Sequence, residues 1–177
     1  MKNYKIFKTA LFIILGITIF FLKDVYIEHL RLFIGGLIVL YGIDGFVMWV
    51  FEKERDGEIR YLCKALVELI LGTCTIIFFK ELSTVCVIWA VWAILRESEE
   101  IAECYELFKE KLPCLFNFAE SIVAIVFSIM LIIEPGEHHA KIHMYLLIVE
   151  LFSAVLFPQA RFIYIKYIKK EKAKEDK

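Results

Sequence analysis

The chain has 177 residues, 60% of them hydrophobic, with a formal net charge of −1 and a mean hydropathy of +0.67. Soluble domains use about 45–50% apolar residues, so the surplus must face something apolar, and lipid is the simplest candidate. Near-neutrality leaves no global field of the kind that gathers nucleic acid, so the distribution of charge carries the information.

Six apolar runs alternate with charged gaps. Lys2, Lys5 and Lys8 stand at the start of the first run, about Ile6 to Leu22. This resembles a signal peptide, but no small-x-small cleavage site follows Leu22, and the chain continues into Lys23-Asp24. An uncleaved first span is therefore expected. The second run, about Leu30 to Phe51, contains Gly35, Gly36, Gly42 and Gly45. Such small residues let helix backbones approach closely. The third runs from about Leu62 to Phe79. The fourth, about Leu82 to Leu95, falls short of the roughly 20 residues a spanning helix needs. It is expected to borrow its last turn from Arg96 and the residues after it.

The segment 96–111 follows, with Ile101, Tyr105 and Phe108 at helical spacing and an acidic outer face. It reads as a cytoplasmic continuation of the fourth helix, with that face either solvated or docked to a partner. The fifth run spans about Leu112 to Ile133 and the sixth about Ile142 to Ile165. Pro158 removes a backbone donor and predicts a kink or the point of exit from the bilayer. Tyr61, Phe79, Trp49, Tyr145 and Tyr164 suit interfacial belts. The charged tail, 171–177, ends a membrane domain of 1–170, and basic residues after Ile165 suit anionic headgroups.

The cations give an orientation. With a cytoplasmic N-terminus, the inner side holds Lys2, Lys5, Lys8, Lys53, Arg55, Arg60, Lys64, Arg96, Lys109, Lys111 and the basic C-terminal residues from Arg161 to Lys177. The outer side holds only Lys23, Arg31, Lys80 and Lys141. An excess of roughly four to one is a strong positive-inside signal. Both termini are expected in the cytoplasm.

The expected fold is an all-α membrane protein of six transmembrane helices arranged as three helical hairpin repeats. The hairpins cover about 6–51, 62–95 and 112–165, a period of roughly fifty-odd residues. Local echoes agree: Leu15-Gly16-Ile17-Thr18 with Leu71-Gly72-Thr73-Cys74, and Ala65-Leu66-Val67-Glu68 with Asn117-Phe118-Ala119-Glu120.

On the Glu68 to Gly72 segment, the Glu134-Pro135-Gly136 turn and the glycine-rich Tyr41-Gly42-Ile43-Asp44-Gly45 stretch, the chain resembles the HdeD family of acid-resistance membrane proteins, which is built from short hydrophobic hairpins. That resemblance implies a bacterial inner (plasma) membrane location and a link to acid stress. It supplies no catalytic residues.

Acids within spans are costly, about 2.5–3.5 kcal/mol at a helix centre on insertion scales. The candidates are Asp44, Glu68, Glu120 and Glu150. The first three could share one layer one to two turns from the cytoplasmic surface. Glu150 lies nearer mid-membrane, with no cation of its own helix in reach. They are read either as a proton-responsive cluster or cation path, or as glue between helices.

His29, His138, His139 and His143 all fall on the expected outer side, beside Glu28, Glu134 and Glu137. They are candidates for outward pH sensing, for a metal site at H-H-x-x-x-H, or for ordinary interfacial residues, and no metal is assigned. Cys63, Cys74, Cys86, Cys104 and Cys114 form no C-x-x-C pair and read as reduced packing residues.

No Walker motif, H-E-x-x-H or G-x-S-x-G is present, so a non-enzymatic protein without cofactor is expected. Its expected partners are the lipid bilayer and a second copy or another membrane protein, not nucleic acid. The alternative is a small proton- or cation-coupled transporter or channel working through the intramembrane carboxylates.

Overall fold

The computed structural model describes the backbone of residues 2–51, 58–110 and 112–175, and the side chains of 7–50, 59, 61–110 and 112–157. The cations expected at Lys53, Arg55, Lys111 and Lys177 lie outside the described residues, as do the side chains of Lys2, Lys5, Arg60 and the basic tail. Among the described residues the chain is entirely helical: α1 (Lys2–Glu28), α2 (Leu30–Phe51), α3 (Glu58–Ile77), α4 (Leu82–Lys109), α5 (Leu115–Ile133) and α6 (Glu137–Glu175).

Four of them, α1, α2, α5 and α6, are long and apolar enough to cross a membrane. The other two carry more charge: Glu58, Arg60, Lys64 and Glu68 in α3, and Arg96, Glu97, Glu99, Glu100, Glu103, Glu106 and Lys109 in α4.

Helix ends follow local chemistry. α1 breaks at Leu22, where φ is −114° and ψ is 22°, the residue at which its apolar run gives way to Lys23-Asp24. The stretch from Lys23 to His29 then carries the chain across to α2. The fourth apolar run and the acidic segment after it form one 28-residue helix, because neither Gly nor Pro interrupts 82–112. Pro113, which lacks an amide hydrogen and restricts the residue before it, separates α4 from α5. The fifth helix therefore starts at Leu115 rather than Leu112. The sixth starts at Glu137, straight after Pro135-Gly136, and continues through Pro158 to Glu175.

The helices pair most closely as α2 with α3, α4 with α5 and α1 with α6. Of the pairs expected as hairpins, only α5–α6 packs over more than a few residues, while α1–α2 and α3–α4 barely approach. Glycine explains the preference. A Cβ on Gly72 would lie 2.6 Å from the Gly35 carbonyl oxygen, and one on Gly42 would lie 2.9 Å from the Leu69 amide nitrogen. The α2–α3 contact is thus backbone on backbone. Gly36 has open space around it and takes no part. Gly16 plays a lesser role in α1, under the Phe152 ring of α6 at 3.2 Å.

A dry core fills the half of the bundle near the three short turns. Ile19, Ile34, Ile38, Trp89, Leu131 and Met144 are fully or almost fully buried in it. At the turn end itself, Lys141 of α6 pairs with Asp24 of α1 at 3.6 Å, and Lys23 donates to the Tyr145 hydroxyl. Large apolar side chains point outward from every helix, among them Phe21, Leu40, Ile70, Leu95, Val126 and Val149. Water would penalise such a surface, and lipid tails would not.

Candidate functional site: a polar layer fed by six helices

Below the dry core the bundle turns polar. Measured along each helix from its turn end at about 1.5 Å per residue, Tyr41, Asp44, Glu68, Trp92, Arg96, Glu120, Glu150 and Ser153 all fall about 14–24 Å down. Residues far apart in sequence therefore meet at one level.

Arg96 of α4 is the centre. Its Nη1 lies 2.7 Å from Oε1 of Glu150 on α6. Its guanidinium carbon sits 3.9 Å from the centroid of the Tyr41 ring of α2 and 5.3 Å from that of Trp92. A guanidinium over an aromatic face gains from the ring quadrupole, and more so away from water. Tyr41 and Trp92 meet edge to face with centroids 5.3 Å apart. Trp92 in turn donates its indole N–H to Glu68 Oε1 on α3 at 3.2 Å. A continuous chain, Glu150–Arg96–Tyr41–Trp92–Glu68, thus links α6, α4, α2 and α3.

The remaining helices join at its edges. Lys8 of α1 donates to Asp44 Oδ2 of α2 at 2.6 Å. Ser153 of α6 donates to Glu120 Oε1 of α5 at 2.9 Å. Lys64 of α3 bonds to Glu99 of α4. Glu97, buried to 3% exposure, faces Ser121 of α5 and lies within electrostatic range of Glu150. Glu68, Glu97 and Glu150 thus lie within electrostatic range of one guanidinium, and Glu120 joins beside Ser153 and Glu150.

The structure places each expected acid in this layer. By this measure Glu68 lies about 14 Å down, and Asp44, Glu120 and Glu150 lie about 20–21 Å down. The cation missing from the helix of Glu150 comes from α4. Arg96, Trp92, Tyr41 and Glu97 were not among the sequence candidates. A signal existed: Trp92 and Arg96 are four residues apart, so both share one face of the fourth helix.

The four histidines sit in different surroundings. His29 and His138 are exposed, and His139 is partly buried with Nδ1 3.9 Å from Glu134 Oε2. His138 and His139 pack ring edge to ring face, centroids 5.4 Å apart. His143 is different. It is 4% exposed, its ring lies against Trp89 with centroids 4.7 Å apart, and its Nε2 is 2.7 Å from Ser128 Oγ. The Ser128 Oγ also lies 2.8 Å from the Ala124 carbonyl oxygen, so the hydroxyl bridges the ring nitrogen and the helix backbone. Nδ1 is buried without a partner.

Cys86, Cys104 and Cys114 are buried, Cys74 is partly buried and Cys63 is exposed, and all five are free thiols. Among the described residues no three His, Cys, Asp or Glu side chains are grouped to hold a metal ion. Comparison with protein families, with curated proteins and with solved structures finds no match to this chain.

Proposed function

We propose that the chain is a six-span, non-enzymatic membrane protein with both termini in the cytoplasm, and that its polar layer is a proton-responsive clamp between helices. The Arg96–Glu150 pair inside a layer reached by all six helices carries this reading. α3 and α4 fall short as isolated spans, because Glu68 and Arg96 interrupt them. In the bundle those two groups meet Trp92 and Glu150, which removes much of the cost of placing them in a membrane. Six crossings then agree with the sided cations.

In a low-dielectric layer one guanidinium balances one carboxylate. The other carboxyls can be neutral by holding protons or can be matched by incoming cations. Protonating Glu150 would take from Arg96 its ionic partner and weaken the hold of α4 on α6. Such a device suits a role in acid or envelope stress at a bacterial inner membrane, which the HdeD resemblance also implies.

The test is survival of acid challenge in cells carrying wild type, Glu150→Gln or Arg96→Met in place of the native chain. Glu150→Gln keeps the shape of the protonated acid and should alter survival, while removal of the exposed His138 and His139 should not. Survival unchanged in both Glu150→Gln and Arg96→Met would end the clamp reading. A second reading, a proton- or cation-coupled transporter, is favoured by the excess of carboxyls over cations around Arg96. Liposomes loaded with a pH-sensitive dye test it. Absence of flux in wild type, or flux indifferent to Glu150→Gln, would remove it.

A further inference from the structure

Two of the five cysteines come together at the end of the bundle away from the three short turns. Cys104 stands about two turns beyond Arg96 on α4, and its Sγ lies 3.8 Å from the carbonyl oxygen of Cys114. The chain turns back between them because α4 ends at Lys109 and Pro113 has no amide to continue a helix. The Leu112 amide bonds to the Leu107 carbonyl at 3.0 Å and closes the turn. Cys114 takes the N-cap position of α5, but its side chain makes no cap bond.

Both cysteines are well packed, Cys104 4% and Cys114 8% exposed. Both nevertheless belong to the wall of a concavity of about 870 Å³, shared with Tyr105, Phe108 and Phe118. One water takes up about 30 Å³ of the liquid, so a molecule only slightly larger enters this space with room to spare. The remaining cysteines are spread out. Cys86 lies about 27 Å from Cys104 along α4, and Cys63 and Cys74 lie about 16 Å apart along α3.

We propose that Cys104 and Cys114 are a peroxide-sensitive dithiol, oxidised to a disulfide that ties the end of α4 to the start of α5. A disulfide asks for Cα atoms about 4.4–6.8 Å apart. One sulfur already rests on the backbone of the other cysteine, and Cys114 lies outside both helices, so it can shift without unwinding either. Hydrogen peroxide in the concavity is the oxidant. One thiol, deprotonated, attacks a peroxide oxygen. The S–O bond forms, the O–O bond breaks, and the departing hydroxide takes up the thiol's proton as water. The second thiol then attacks the sulfenic sulfur. The S–S bond forms, the S–O bond breaks, and a second water leaves. The two sulfurs together lose two electrons, and peroxide gains them. In the orientation proposed above this end faces the cytoplasm, where a reduced dithiol is the resting state and disulfides that form are transient and redox-sensing or catalytic. The dithiol goes beyond the clamp and does not depend on it.

The experiment uses the full chain in phosphatidylcholine vesicles, first reduced, then freed of reductant and treated with hydrogen peroxide. Remaining thiols are blocked with N-ethylmaleimide, and the chain is cut with trypsin in the absence of reductant. Cleavage after Arg60, Lys64, Lys80, Arg96, Lys109 and Lys111 puts each cysteine in its own peptide. Mass spectrometry should find peptide 97–109 joined to peptide 112–141, lighter than their sum by two hydrogens. The chain should still run as a monomer on a non-reducing gel. Dithiothreitol should separate the pair again. Cys104→Ala or Cys114→Ala should abolish the linked peptide, and Cys63→Ser, at an exposed position, should leave it unchanged. The wild-type map decides the matter even where a variant folds poorly. No linked peptide after peroxide, an equal yield of other cysteine pairs, or linkage only between two chains would overturn the proposal.

Discussion

Gly72→Ala tests the packing on which the polar layer depends. The added Cβ would sit 2.6 Å from the Gly35 carbonyl oxygen and 2.8 Å from the Val39 amide nitrogen. Ordinary contact begins near 3.4 Å, so the two backbones would have to part by about 0.8 Å, and neither obstacle is a side chain that can rotate away. Overpacking of this kind costs about 1–3 kcal/mol. Glu68 rides on α3, so the same shift would stretch its 3.2 Å bond to Trp92 beyond hydrogen-bond range. Gly36→Ala is the control. Nothing lies within 4 Å of its added Cβ, and replacing a mid-helix glycine should gain roughly 0.5–1 kcal/mol. Unfolding in mixed micelles, titrated with denaturing detergent and followed by tryptophan fluorescence, compares the three proteins. A Gly72→Ala protein as stable as wild type, or a Gly36→Ala protein as unstable as Gly72→Ala, would refute the close backbone crossing.

Arg96→Met alone should destabilise by about 3–5 kcal/mol, because it leaves Glu150 as an unmatched buried charge. In a double-mutant cycle the loss should shrink in a Glu150→Gln background, and strict additivity would mean the two groups do not interact. Trp92→Phe should cost about 1–3 kcal/mol by leaving the Glu68 carboxyl without its indole donor; a smaller loss in a Glu68→Leu background would confirm the route. Ser128→Ala should cost about 1–3 kcal/mol by leaving the second ring nitrogen of His143 unpaired as well, whereas His138→Ala should change stability by less than about 0.5 kcal/mol. In spheroplasts, a maleimide that cannot cross membranes should fail to label Cys63 until the membrane is permeabilised; immediate labelling would reverse the proposed orientation.

The number, length and ends of the helices were largely written in the local sequence. Apolar runs bounded by Lys23-Asp24, by Pro113 and by Pro135-Gly136 mark where helices break or begin, because charge and proline act within a turn of where they stand. The uninterrupted stretch 82–112 likewise announces one long helix. Partner choice was not local in this way. Hairpin connectivity suggests that α1 should pack on α2, yet α2 packs on α3, because Gly35 and Gly72 bring two backbones together at positions whose match depends on three-dimensional register.

The chemistry divides along the same line. Sequence determined that Asp44, Glu68, Glu120 and Glu150 would be embedded in apolar helices, because apolar neighbours on the same strand of chain are enough to say so. It also shows the cations clustered at alternate gaps between the apolar runs. Only the tertiary structure decided what those acids meet. Arg96 reads in sequence as the first residue of a cytoplasmic segment, and its reach to Glu150 spans 54 positions of the chain. Likewise four histidines gathered near one end of the helices look alike in sequence, and folding separates exposed His138 from His143, buried between Trp89 and Ser128. Burial in a membrane protein is a property of one residue and its neighbours along the helix. Pairing is a property of two helices, and it becomes definite only when their faces and depths are set against each other.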